Sequence, residues 1–132
     1  MILSIDRKHG KIKLTSIARD TYVSVDGYGQ TKINHAYAYG GPELAIKTIN
    51  ENFSLDVKDF VTVNFSQLAE IIDYVGGVTI NVTEEERVVA NKYVDNLNKL
   101  GIPTDYITET GDIRLTGGQA VAYARNRETG SD

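Results

Sequence analysis

Residues 59–82, "DFVTVNFSQLAEIIDYVGGVTINV", carry three successive signals whose order decides the fold class. The run from 59 to 65 is rich in β-branched and aromatic residues, the composition of a short strand. "SQLAEIIDYV" then repeats apolar residues at helical spacing, with Ser66 placed to cap its start and Gly76-Gly77 to stop it. "GVTINV" returns to the alternation of a strand. Strand, helix and strand in this order make a β-α-β unit, and its two strands are expected to pair in parallel across a right-handed crossover.

Upstream, "MILSI" and "KIKLTSI" flank "DRKHGK", where Gly10 can take a positive φ, so residues 1–17 read as a β-hairpin. Residues 20–41 are glycine-rich and polar, and read as a long loop with one short helical piece at "INHAYAY". Pro42 suits a first helical turn, and "PELAIKTINENF" sets Leu44, Ala45, Thr48, Ile49, Asn52 and Phe53 on one stripe. Downstream, residues 83–108 are charged and weakly periodic, a helix or an excursion over the surface. Thr116 with Gln119 three residues later forms a capping box, from which "GGQAVAYAR" continues as a helix ending in arginines. Alternating strands and helices give an α/β fold, expected as a three-layer α/β/α sandwich with a central mixed β-sheet.

A chain of 132 residues is one domain's worth, able to bury about two thirds of its unfolded surface. A net charge of −4 and a pI near 5.1 argue against the basic surface that phosphate-backbone binding requires, so no nucleic-acid partner is expected. The absence of cysteine removes disulfide and thiolate chemistry. No apolar run approaches the roughly 18 residues of a membrane span. The chain opens directly in "MILSID" with Met1 as its only methionine, so an upstream segment is expected to lie outside this sequence.

Ligands of open α/β sheets collect beyond the carboxyl ends of strands, which is where Arg19 and Asp20 fall, just ahead of the glycine-rich stretch. As a bare surface pair they would contribute under about 1 kcal/mol. Neighbours on a strand point to opposite faces, which favours separate partners for the two. Arg125 and Arg127, taken alone, complement a helix C-terminus. Guanidinium forks bind phosphate oxygens bidentately and a carboxylate holds the magnesium that such phosphates bring, so the set is chemically suited to a pyrophosphate.

Four blocks, "SIARDTYV", "YGQTKINHAYAYGGPELAIKTINENF", "VNFSQLAEIIDYVGGVTINV" and "LTGGQAVAYARNRETGSD", resemble successive parts of the LytR-CpsA-Psr family of bacterial cell-envelope proteins. The run 32–42 and the closing Arg-x-Arg are the most specific parts. The resemblance implies that residues 1–132 are a single catalytic core domain, held on the outer face of a Gram-positive cell membrane by an N-terminal anchor. It implies transfer of a glycopolymer, such as teichoic acid or capsule, from a polyprenyl-pyrophosphate carrier onto peptidoglycan. A peptidoglycan hydroxyl would attack the phosphorus nearest the glycopolymer and polyprenyl phosphate would leave.

In family terms Asp20 is a ligand of the cofactor Mg2+ with Arg19 beside it, Arg125 and Arg127 grip the phosphates, and Asp132 is the acidic residue that follows, a second metal ligand. Lys32 is placed to reach a phosphate as a point charge. His35 is a candidate base, although beside Asn34 and Tyr37 a hydrogen bond fixing its loop is the more ordinary role. The apolar faces of "SQLAEIIDYV" and "GGQAVAYA" suit either a lipid groove or core. Ala18 stands where the family usually has proline. A second acidic ligand normally precedes "MIL", and further arginines and a glutamine normally follow the last aspartate, so truncation at both ends is expected. Two rival readings use the same chain: a regulatory binding module, as in transcriptional attenuation, and a pyrophosphatase acting on the polyprenyl pyrophosphate with water.

Overall fold

The computed structural model describes residues 1–129. In chain order its elements are β1 (Ile2–Asp6), β2 (Lys11–Thr15), β3 (Tyr22–Val25), β4 (Gly29–Lys32), α1 (Ile33–Phe53), α2 (Phe65–Tyr74), β5 (Val78–Val82), α3 (Glu84–Lys99), β6 (Gly111–Leu115) and α4 (Gly117–Ala124). The α/β class expected from the sequence is present. The chain divides into two compact units, Met1–Val61 and Thr62–Asp132.

In the first unit the expected hairpin forms, with Leu3 opposite Leu14 and Ile5 opposite Ile12. Residues 22–32 are not loop but a second hairpin, β3 against β4, with Tyr22 opposite Lys32 and Val23 opposite Thr31. "YVSV" does alternate, since Val23 and Val25 are buried between exposed Tyr22 and Ser24, but flanking glycines and polar residues hide so short a pattern. The helix begins at Ile33, earlier than Pro42. Gly40 and Gly41 leave helical geometry, with φ of −144° and 63°, and Pro42 restarts the helix beyond this kink. Both helical pieces read from the sequence are therefore present, joined end to end. Val23, Val25, Ile33 and Ala36 form the core, with Ile17, Leu44 and Ile49 against it. Asn52 fastens α1 to β3 by donating to Ser24 O at 2.8 Å and accepting from Ser24 N–H at 3.1 Å.

The second unit corrects the β-α-β expectation. "DFVTVNF" forms no strand: residues 59–64 are exposed and without secondary structure, Val61 at 91%, with no ladder partner among the described residues, and Phe65 already opens α2. Instead β5 pairs antiparallel with β6, setting Val78 opposite Leu115 and Ile80 opposite Ile113. β-Propensity describes fitness for a half-buried pleated surface, and a run that finds no such surface stays unpaired whatever its composition. The cap of α2 also lies two residues before where it was expected. Asn64, not Ser66, accepts from Gln67 N–H at 2.8 Å, while Gln67 Oε1 accepts from Asn64 N–H at 3.0 Å.

α3 opens with a second capping box, Thr83 with Glu86, and buries Val89, Ala90, Val94 and Leu97, so it is core-forming rather than a surface excursion. α4 opens with the expected box of Thr116 and Gln119. Its face supplies Val121 and Ala122 to a cluster with Ala69, Val94 and Leu97, against which Leu68 and Ile72 also pack. Of the apolar faces that suited a groove or a core, Leu68, Ala69 and Ile72 of α2 and Val121 and Ala122 of α4 are thus core here, while Ile71 and Tyr74 of α2 and Val75 after it stay exposed. The helices meet closely because Gly117 has no side chain: a Cβ at this position would collide with the backbone carbonyl of Ala69.

Candidate functional site

Arg19 and Asp20 sit in a turn beyond the end of β2, not on a strand. Thr21 closes the turn, its N–H and its hydroxyl both donating to Ala18 O, at 3.0 and 2.7 Å. The turn is strapped to the start of α1, where Ile33 N–H donates to Thr21 O at 2.8 Å and Asn34 N–H to Arg19 O at 3.2 Å. Two of the helix's orphan N–H groups are satisfied this way, so the sequence needs no side-chain cap at Lys32. The carboxylate of Asp20 thereby shares a corner with the N-cap residue of α1, where negative charge is favoured.

Lys32 Nζ stands 2.9 Å from Asp20 Oδ1, and Arg19 Nε lies 3.8 Å from the same oxygen. The expectation of separate partners for Arg19 and Asp20 is therefore corrected: a turn lets adjacent side chains converge where a strand would splay them. All three side chains are largely exposed. The Lys32 ammonium beside Asp20 holds that carboxyl below its ordinary 3.8 against the opposing effect of desolvation, and the charge of Arg19 adds to the lowering. Asp20 Oδ2 has no protein partner among the described residues. An ionised, exposed carboxylate oxygen is the hard donor that magnesium takes when substrate phosphates and water supply its other ligands. No group of three potential metal ligands gathers among the described residues.

Two neighbours on α1 complete this corner. His35 Nδ1 and Thr31 Oγ1 share a hydrogen bond of 2.7 Å, the fixing role, although on a helix rather than in a loop. Asn34 Oδ1 is buried and meets no donor among the described residues. Such an atom costs free energy until a donor or a cation reaches it.

In the second unit Arg125 is the C-cap residue of α4. Its guanidinium lies over the ring of Phe65, 4.7 Å from the centroid, and 5.2 Å from that of Tyr93, and it donates to Asn96 Oδ1 at 3.0 Å. One donor of the fork is spent and the plane is held by aromatic faces, which fixes the remaining donors in place. Arg127 is exposed and makes no hydrogen bond or ion pair among the described residues. Between them Asn126 Oδ1 accepts from Glu128 N–H at 2.9 Å and Thr129 N–H at 3.3 Å, a local turn that presents Arg127 outward. Asp132 lies outside the described residues.

Sequence reasoning missed a shallow polar depression of about 280 Å³ in the second unit, lined by Ile107, Thr108, Glu109, Asp112, Arg114 and Gln119. It holds none of the expected site residues, and Arg114 there already donates to Gly76 O. Thr21 and Asn34 were also missed as supports of the Asp20 corner. A hydroxyl residue directly after a charged pair is the turn signal that could have flagged the first of them.

The LytR_cpsA_psr family profile matches residues 1–132. The polyisoprenyl-teichoic acid–peptidoglycan teichoic acid transferase TagT of Bacillus subtilis (strain 168) is 32% identical over 132 residues, covering 100% of this chain and 39% of its own. The TagU transferase of Oceanobacillus iheyensis is 36% identical over 138 residues, covering 99% and 38%. The chain thus spans about two fifths of the length of these relatives. Among solved structures, the LytR-CPS2A-psr family protein YwtF (TagT) with bound octaprenyl pyrophosphate lipid has a TM-score of 0.74 at 31% identity, covering 95% of this chain and 49% of that one. TagT bound to LI-WTA has a TM-score of 0.74 at 29% identity, covering 96% and 47%. These likenesses bear out the α/β sandwich expected from the sequence.

Proposed function

Because the chain belongs to the LytR_cpsA_psr family, we propose that it is the core of a phosphotransferase that moves a glycopolymer from a polyprenyl-pyrophosphate carrier onto peptidoglycan. The observation that carries this reading is the corner formed by Asp20, Lys32 and Arg19: an open carboxylate oxygen beside two exposed cations at a helix start. Relatives named as teichoic acid transferases, and a neighbour solved with a polyprenyl pyrophosphate, supply the substrate class. The finer setting, on the outer face of a Gram-positive membrane with a single-pass anchor, belongs to the same proposal. None of the described helices is long and apolar enough to cross a membrane.

In the reaction, a sugar hydroxyl of peptidoglycan attacks the phosphorus nearest the glycopolymer. A new P–O bond forms there as the hydroxyl proton passes to solvent, the bond to the bridging oxygen breaks, and polyprenyl phosphate leaves with that oxygen and its electron pair. Lys32 is a point charge for a phosphate oxygen, and Arg19 a second cation beside it. Asp20 would hold magnesium through its open Oδ2, and the metal would supply charge neutralisation at the phosphates. Arg125 and Arg127, in their own unit, are proposed as phosphate ligands by their guanidinium forks.

The decisive experiment gives the protein a lipid-linked glycopolymer, peptidoglycan strands and magnesium, and identifies products by mass spectrometry. The expected product is a glycan strand joined to the polymer through one phosphate. Free polymer phosphate alone would establish the hydrolytic reading instead. Asp20→Asn is expected to lower turnover by about 10²-fold. Its thermal midpoint should stay unchanged, because an exposed turn carboxylate contributes little to folding. A lowered midpoint with normal activity per folded molecule would make Asp20 a structural residue.

A further inference from the structure

Beside the Asp20 corner, three rings gather on one side of the second hairpin and α1. Tyr28, in the turn between β3 and β4, stacks on Tyr39 of α1 with centroids 4.4 Å apart and planes at 20°. His35 lies one helical turn before Tyr39, its ring 5.5 Å away and tilted by 47°. The bond to Thr31 fixes the imidazole. Tyr28 and Tyr39 nevertheless remain 54% and 46% exposed. A stack whose only task was to clamp the turn to the helix would gain by burying both rings, yet about half of each is left in water.

We propose that Tyr28, Tyr39 and His35 form a saccharide platform that receives the uncharged amino-sugar chain of peptidoglycan, the acceptor side of the reaction. The proposal rests on the transferase reading above, which requires a sugar hydroxyl to be brought to the phosphates. A pyranose ring presents a face of polarised C–H groups, and the face of an aromatic ring is the negative side of its quadrupole. Rings that are already stacked and bonded lose little further freedom on binding.

Placement favours the acceptor. Lys32, the residue before α1, holds Asp20, and Tyr39 lies about 10 Å further along the helix, so the rings lead away from the charged corner over a length that a short run of sugars covers. Charge favours it too. Lys32 and Lys47 are the only lysines or arginines between residues 22 and 53. Each already faces a carboxylate, Asp20 at 2.9 Å and Asp26 at 2.5 Å. Beyond Lys32, which the transferase reading assigns to the reacting phosphates, a phosphodiester polymer lying along the rings would find no unpaired ammonium in this hairpin and helix, whereas an uncharged glycan needs none.

The test is a titration of the protein with chitotetraose, an uncharged chain of N-acetylglucosamine, followed by NMR of the tyrosine rings without any lipid donor. A parallel titration uses poly(glycerol phosphate). Chitotetraose is expected to shift the Tyr28 and Tyr39 ring signals. Tyr28→Ala should weaken its binding about tenfold or more, while Tyr28→Phe, which keeps the ring, binds like the parent. Should Tyr28→Ala disturb the turn, the parent ring signals decide alone. Rings unmoved by chitotetraose at millimolar concentration, or moved only by the phosphate polymer, would overturn the platform. In the transfer assay Tyr28→Ala should raise the acceptor KM and leave kcat and the donor KM in place. A protein that binds chitotetraose through Tyr28 but transfers nothing would sink the transferase reading while leaving the platform standing as a glycan-binding surface.

Discussion

Arg125 and Arg127 are two residues apart, yet the structure gives them different physical tasks. Arg125 is packed: its plane rests on Phe65 and Tyr93 and its fork holds Asn96, so it joins α4 to α2 and α3. Arg127 is exposed and turned outward. Arg125→Lys keeps the charge but loses the planar stacking, and should cost about 0.5–1 kcal/mol in denaturant unfolding. Arg127→Lys should leave unfolding unchanged and lower turnover by about 10²-fold, the loss expected when a preorganised donor to a phosphate is removed. Equal losses of stability in both variants would contradict this division. The charged residues were legible in the sequence because charge beside glycine, and an Arg-x-Arg behind a helix, are local signals. Tyr28 was not, since a tyrosine in a glycine-rich stretch acquires meaning only when α1 folds back to set Tyr39 beside it.

The elements that declared themselves are those whose evidence is short-range. The first hairpin and the box of Thr116 with Gln119 were read correctly because turn and cap residues lie within a few positions of each other. β3, β4 and β6 escaped notice because each is four or five residues long and owes its existence to a partner strand; "GDIRL" carries two charges and pairs with β5 across the whole of α3. The capping box of α3 yields a pH prediction. The N–H of Thr83, then its hydroxyl and that of Tyr123, hold the Glu86 carboxyl below its ordinary 4.5. A depressed carboxyl contributes stability that is complete above its unfolded value and is lost as the pH falls through the lowered folded value. The parent protein should therefore lose stability from about pH 4.5 downward more steeply than Glu86→Gln, which can still accept the Thr83 N–H but does not titrate. Removing the box by Thr83→Ala should cost about 1 kcal/mol at neutral pH. Denaturant melts at several pH values read both effects.

Across the whole chain, the α/β class was readable because it follows from which elements alternate, whereas strand pairing depends on partners far apart in sequence. The same distinction marks the joint between the two units. Asn50 holds Val57 through both its backbone groups, at 2.8 and 2.9 Å, and from Lys58 the backbone runs exposed and without secondary structure to the cap of α2. Brief trypsin treatment should cut after Lys58 before it cuts at any site within α1 or α3, as mass spectrometry of the first fragments would show. First cleavage inside either helix would mean that this joint is protected. The contact between Gly117 and Ala69 has a consequence for how such chains diverge. Every missense change of a glycine codon adds a side chain, and here the first atom of any side chain meets the carbonyl of residue 69. Drift at this position is closed unless the spacing of the two helices changes with it, so glycine here is a yardstick of descent: a cousin carrying alanine at the equivalent place must hold the helix that matches α4 farther out.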